Sequence, residues 1–125
     1  MSLRVLVVDD EPGVAATLRA YLEDEGMDVQ SAGSAEEALA LVRIGVAFDV
    51  CIMDLRLPGM DGDAAIRSLH RIHPRLKYLI HTGTAGYDLP DDLRTIGVGN
   101  GQIFRKPLPD MAPLAAAVKT LGAAD

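Results

Sequence analysis

RVLVVDDEPG, residues 4–13, runs from apolar and mostly β-branched residues straight into three acids, Asp9, Asp10 and Glu11, followed by Pro12. An apolar run without alternation suits a strand buried on both faces of a sheet. Carboxylates crowded at the end of such a strand repel one another and are costly to desolvate. Something of opposite charge should offset that cost, and the remainder of the chain indicates what it is.

Working outward, helical and strand patterns alternate. Val14, Leu18, Tyr21 and Leu22 fall at helical spacing over residues 13–26, and Gly26 ends the pattern. DVQSA (28–32) reads as a short strand. SAEEALALVRIG (34–45) reads as a helix that opens on a Ser34–Glu37 capping box and closes at Gly45. FDVCIMDL (48–55) is a second long apolar strand, and a helix over 62–74 stops at Pro74. LKYLIHT (76–82) is a strand, 89–97 a short helix, GQIFRK (101–106) a short strand and 109–122 a last helix. Pro113 falls in that helix's first turn, where proline is tolerated.

A βα pattern repeated five times implies a parallel sheet covered on both faces. Right-handed crossovers leave few topologies, and the order 2-1-3-4-5 is the expected one. The fold class read from the sequence is therefore α/β, a three-layer α/β/α sandwich of the flavodoxin-like type. In such sheets the site lies beyond the carboxyl ends of the strands.

The chain has 125 residues, 49% of them hydrophobic, with a net charge of −6. One domain over residues 1–125 is expected. MSL at the start reads as a cloning remnant, and residues 122–125 as a tail or the start of a linker. The acidic balance argues against direct nucleic-acid binding. No stretch approaches the roughly 18 apolar residues of a membrane span. No signal peptide is read at the start, so a cytoplasmic location is expected. Cys51 is the only cysteine and reads as a buried, inert thiol.

The strand ends bring the chemistry together. The first strand leads into Asp9 and Asp10, the third into Asp54, the fourth into Thr82 and the fifth into Lys106. A hard divalent cation, Mg²⁺ or Mn²⁺, resolves the crowding of acids, because it takes oxygen ligands and commonly bridges carboxylates to phosphate. A lysine ammonium and a threonine hydroxyl suit a phosphoryl group. An aspartate can be the nucleophile that forms an acyl phosphate.

VLVVDDEP, DVCIMDLRLPGMDG, LIHTG and FRKPL, taken in order, resemble the receiver domains of two-component response regulators, the CheY-like family. The resemblance runs from Arg4 to about Leu121. It implies that Asp54 is the phospho-acceptor and that Asp9, Asp10 and the main-chain carbonyl of Arg56 bind Mg²⁺ with Asp54. It implies that Thr82 contacts the phosphoryl group and that Lys106 pairs with its oxygens, next to a cis Lys106–Pro107 peptide. It further implies a histidine kinase or histidine phosphotransfer protein as donor, a downstream output protein or domain, and self-catalysed phosphotransfer and hydrolysis rather than enzyme action on other substrates. Arg56 and Thr84 occupy the rate-tuning positions. A homodimer through the fourth helix, fifth strand and fifth helix is the oligomer that the resemblance suggests.

The chain also departs from the family pattern. Ile103 stands where an aromatic residue is usual, with Phe104 beside it, and Gly83 follows Thr82 where alanine or serine is commoner. TAGYDLPDDLRTIGVGNG (84–101) is rich in Gly, Pro and Asp, so a short fourth helix after a long loop is expected. Tyr87 is a candidate to stand in for the missing aromatic.

Plainer readings compete with these. Asp10 or Glu11 can cap the first helix. Asp54 can be a turn former, Lys106 a solvated lysine and Thr82 an ordinary strand-end hydroxyl. His70 and His73 read as surface residues and His81 as a packed one. Three functions remain alongside the phospho-switch: a phosphorelay intermediate or sink, a constitutive docking module without phosphorylation, and, last, a flavin-binding relative.

Overall fold

The computed structural model describes residues 2–123. Five strands, β1 (Arg4–Val8), β2 (Asp28–Ala32), β3 (Val50–Met53), β4 (Lys77–Thr82) and β5 (Ile103–Arg105), alternate with helices α1 (Pro12–Asp24), α2 (Ala35–Arg43), α3 (Gly62–Ile72), α4 (Asp91–Ile96) and α5 (Ala112–Ala123). All neighbouring strands pair in parallel, in the order β2-β1-β3-β4-β5. This is the α/β sandwich expected from the alternation of elements.

β1 and β3, at the centre of the sheet, are buried along almost their whole length because both faces are covered, whereas the edge strand β2 exposes Asp28, Gln30 and Ser31. Val5, Val7, Val50, Ile52 and Leu79 face α1 and α5, packing with Leu18, Leu22, Leu114 and Val118. Leu6, Val8, Cys51, Met53 and Ile80 face the other way, onto α2, α3 and α4 through Leu39, Ile66, Leu69 and Leu93. Two cores therefore clamp one sheet, and its strand-end residues are held by packing from both sides. Cys51 lies fully buried, and desolvation pushes its thiol far above the usual range, in keeping with an inert packing role.

Local signals act much as the sequence suggests, with several corrections. Ser34 Oγ accepts the Glu37 N–H at 3.1 Å, but the Glu37 carboxylate bonds to the Gly33 N–H rather than to that of Ser34. The reciprocal half of the capping box is thus displaced by one residue. Glu11 occupies the N-cap of α1 without a side-chain cap, and no capping bond comes from Asp10. The Glu11 N–H instead bonds to Asp9 Oδ1 at 2.9 Å.

Two strands end earlier than expected, β3 by two residues and β5 by one, while β4 ends at Thr82 as read. β3 stops at Met53, so Asp54 begins the loop, and β5 stops at Arg105, before Lys106. The chain at 48–49 lies outside β3, although Phe48 is buried in the core. Residues Asn100–Gln102 form a 3₁₀ turn and shorten β5 to three residues. The Gln102 side chain explains the turn: Oε1 accepts from the Gly99 N–H and Nε2 donates to the Tyr78 carbonyl. α5 continues to Ala123, so residues 122–123 are helix rather than tail. The rest of the expected tail, residues 124–125, and Met1 of the expected remnant lie outside the described residues. α4 has six residues, short as its composition predicts.

Candidate functional site

The carboxyl ends of β1, β3, β4 and β5 open onto one cavity of about 390 Å³, lined by residues that include Asp10, Asp54, Arg56, Thr82 and Lys106. The parallel ladder sets this convergence. Val8 pairs with Met53 and Met53 with Ile80, so Asp9 and Asp54 leave the sheet side by side.

Asp9 and Asp54 are buried and Asp10 is exposed. Lys106 Nζ lies 2.8 Å from Asp9 Oδ2, 3.3 Å from Asp54 Oδ2 and 3.5 Å from Glu11 Oε1. Burial works against the Lys106 ammonium, but the hydrogen bond and charge of Asp9, with Asp54 behind it, outweigh that and hold its pKa above the usual value. Burial lifts the Asp54 carboxyl above the ordinary aspartate range. Lys106 opposes the lift and the neighbouring charge of Asp9 adds to it. One ammonium thus faces several acids, which leaves the cluster with excess negative charge.

That excess suits a cation. Asp9, Asp10, Glu11 and Asp54 each bring a carboxylate oxygen within 4.8 Å of the others. An all-oxygen, acidic donor set of this kind fits a hard divalent ion. Glu11 was not among the metal ligands read from the sequence, although it stands in the same acidic run. The Arg56 N–H points to Asp54 Oδ1 at a long 3.4 Å, and Arg56 lines the cavity.

Thr82 is wholly buried. Its hydroxyl donates to Thr84 Oγ1 at 3.2 Å and accepts the Thr84 N–H at 3.1 Å. Gly83 has open space around it. The Lys106–Pro107 peptide is cis. The structure thus places Asp9, Asp10, Asp54, Arg56, Thr82 and Lys106 at one end of the sheet.

The chain matches the response regulator receiver domain across residues 5–119. It belongs to the receiver domain family of two-component response regulators. The receiver is 37% identical over 114 residues to the alginate biosynthesis transcriptional regulatory protein AlgB of Pseudomonas aeruginosa, covering 91% of this chain and 25% of that protein. It is 30% identical over 105 residues to the cell cycle response regulator CtrA of Brucella ovis, covering 84% of this chain and 44% of that one. The chain thus spans less than half the length of these curated relatives. Among solved structures, it resembles the CheY-like receiver domain protein of Methanospirillum hungatei JF-1, with TM-score 0.80, 27% identity and coverage of 97% and 94% of the two chains. It likewise resembles the non-phosphorylated HemR receiver domain of Leptospira biflexa, with TM-score 0.81, 27% identity and coverage of 99% and 97%.

Several contacts around the receiver site were not legible in the sequence. Gly62 packs directly on the loop after β3: a Cβ there would strike the Asp54 carbonyl oxygen and lie 2.8 Å from Leu55 Cα. The Tyr87 hydroxyl donates to Asp63 Oδ1 at 2.6 Å. Arg67 grips Asp92 with two hydrogen bonds, joining α3 to α4. The two imidazoles read as surface residues, His70 and His73, are half-buried, whereas His81 is packed as expected. No described helix is long and apolar enough to cross a membrane.

Proposed function

We propose that this receiver accepts a phosphoryl group on Asp54 from a histidine kinase or histidine phosphotransfer protein, in a reaction that needs Mg²⁺ or Mn²⁺. One observation carries the reading. The buried Asp54 carboxylate shares a cavity with the Lys106 ammonium, the Thr82 hydroxyl and an acidic cluster suited to a divalent cation.

Asp54 supplies the attacking carboxylate oxygen. A P–O bond forms at Asp54 as the donor's bond to phosphorus breaks, and the leaving group takes the electron pair. Lys106 holds a phosphoryl oxygen and offsets charge spread over the transferring group. Thr82 exchanges its bond to Thr84 for one to a phosphoryl oxygen. Asp9, Asp10, Asp54 and the Arg56 carbonyl are the residues that would hold the metal. When bound, that ion neutralises phosphoryl charge that Lys106 alone cannot balance.

Asp9 keeps Lys106 in place, since Oδ2 takes the ammonium while Oδ1 is fixed by the Glu11 N–H. Beside the cavity, a groove of about 670 Å³ lined by Val14, Leu108 and Met111 offers apolar surface to a donor protein approaching Lys106. Water can attack the same phosphorus, so the domain contributes to its own dephosphorylation and acts on no other substrate. It works as a cytoplasmic domain whose phosphorylated surface is read by an output protein or domain. The names of relatives such as AlgB point to transcription as one such output. Pairing through α4, β5 and α5 is the dimer to look for.

Borohydride trapping tests the acceptor. An acyl phosphate on Asp54 is reduced to homoserine, which peptide mapping locates. Homoserine at position 54 supports the reading, and its appearance at another acid overturns the assignment.

A further inference from the structure

We propose that Tyr87 is a positioning residue for the Asp54 site: its hydrogen bond to Asp63 couples Thr82 to the first turn of α3, so that phosphorylation is read on the α3–α4 face. This rests on the phospho-acceptor reading of Asp54.

Both ends of the Tyr87–Asp63 bond are connected through the backbone to residues of the site. At one end, Thr82 is tied to Thr84 by two hydrogen bonds, and the chain turns at Gly86, with φ +67°, into Tyr87. The Tyr87 ring packs against the core on the α3–α4 side. Burial, then the bond to Asp63, pushes its phenol well above the usual range, so it remains a neutral donor. At the other end, Asp63 follows Gly62, which lies against Asp54 and Leu55 with no room for a Cβ and whose N–H bonds to the Leu55 carbonyl at 2.9 Å. The loop after β4 and the first turn of α3 are thus joined by one short bond.

A shift of the Thr82 hydroxyl toward a phosphoryl group removes its bond to Thr84. The start of the loop is then free to follow, and the strain falls on Tyr87–Asp63. Release there reaches α3 directly and α4 through Arg67–Asp92. On the other side, Ile103 is an aliphatic residue packed against the same core and has no polar group to re-form a bond on moving. The route through the β4–α4 loop is the one that the side chains supply.

Hydrogen exchange on the full chain with Mg²⁺ and acetyl phosphate, with occupancy read by intact mass on the same sample, tests the coupling. Phosphorylation is expected to speed exchange in residues 61–67 and 84–95 while leaving 103–106 unchanged. Tyr87→Phe keeps the ring and removes the hydroxyl. It should show fast exchange in those segments before phosphorylation, and about tenfold less further change on phosphorylation, because a hydrogen bond to a carboxylate is lost. A phosphorylated wild type with unchanged exchange in 61–67 and 84–95 would overturn the coupling. So would Tyr87→Phe that raises exchange equally in both states, the signature of a merely structural anchor. A sample with no gain in mass would instead overturn the acceptor reading beneath it.

Discussion

Lys106 and Asp9 form an ion pair of 2.8 Å in which the two side chains are only 13% and 2% exposed. Asp54 lies 3.3 Å from the same ammonium. Removing one partner of a buried ionic cluster leaves the others uncompensated. Lys106→Met is therefore expected to cost roughly 1–3 kcal/mol at pH 7 by urea unfolding, short of a fully buried pair because the cavity admits water. Millimolar Mg²⁺ should restore part of that loss by binding the freed acids.

Asp10 gives the opposite pattern. Its side chain is exposed, no hydrogen bond is made by its carboxylate among the described residues, and it belongs to the acidic cluster. Asp10→Asn should change stability by less than about 0.5 kcal/mol. Calorimetric titration should show Mg²⁺ affinity falling about tenfold or more as a formal ligand charge is lost. Equal affinity in the variant would remove Asp10 from the metal site.

Gly62→Ala probes the contact between α3 and the loop that carries Asp54. The added methyl meets main-chain atoms of Asp54 and Leu55, which cannot swing aside as a side chain can. Overpacking of this kind costs about 1–3 kcal/mol, read as a lower urea midpoint. It should also slow phosphorylation, because Asp54 is displaced with its loop.

His81 sets a pH dependence. It is buried at the end of β4, and its Nδ1 has no hydrogen-bond partner among the described residues. Desolvation, then the charge of Lys106, holds its pKa below 6.5, against the opposing pull of Asp9 and Glu11. Between 6.5 and that lowered value the unfolded chain binds more protons than the folded one. Stability from this residue is therefore complete above pH 6.5 and falls as pH drops through the window. His81→Leu should flatten the stability profile between about pH 5 and 7. An unchanged slope would show that other groups govern the acid side.

Much of this was legible in the sequence because each signal is local. The apolar runs at 4–8 and 50–53, alternating with helical patterns, reveal a sheet covered on both faces, and the order of acids, threonine and lysine at the strand ends marks the site. The exact ends of β3 and β5 were less legible. Asp54 leaves the sheet because its loop turns back to let the Leu55 carbonyl accept the Gly62 N–H. The 3₁₀ turn before β5 depends on Gln102 reaching the Tyr78 carbonyl across the sheet, a contact 24 residues distant. The Tyr87–Asp63 and Arg67–Asp92 pairs are likewise non-local, at separations of 24 and 25 residues, so no periodicity announces them. The Asp10 and Glu11 side chains do not cap α1. Asp9 takes the Glu11 N–H, and Glu11 lies within 3.5 Å of Lys106.

The central claim, that Asp54 accepts a phosphoryl group with the help of the acidic cluster, is tested most directly by intact mass after incubation with acetyl phosphate and Mg²⁺. A gain of one phosphoryl group is expected, and it should disappear without the divalent ion and in Asp54→Ala. An unchanged mass in the wild type, or an equal gain in Asp54→Ala, would contradict that claim.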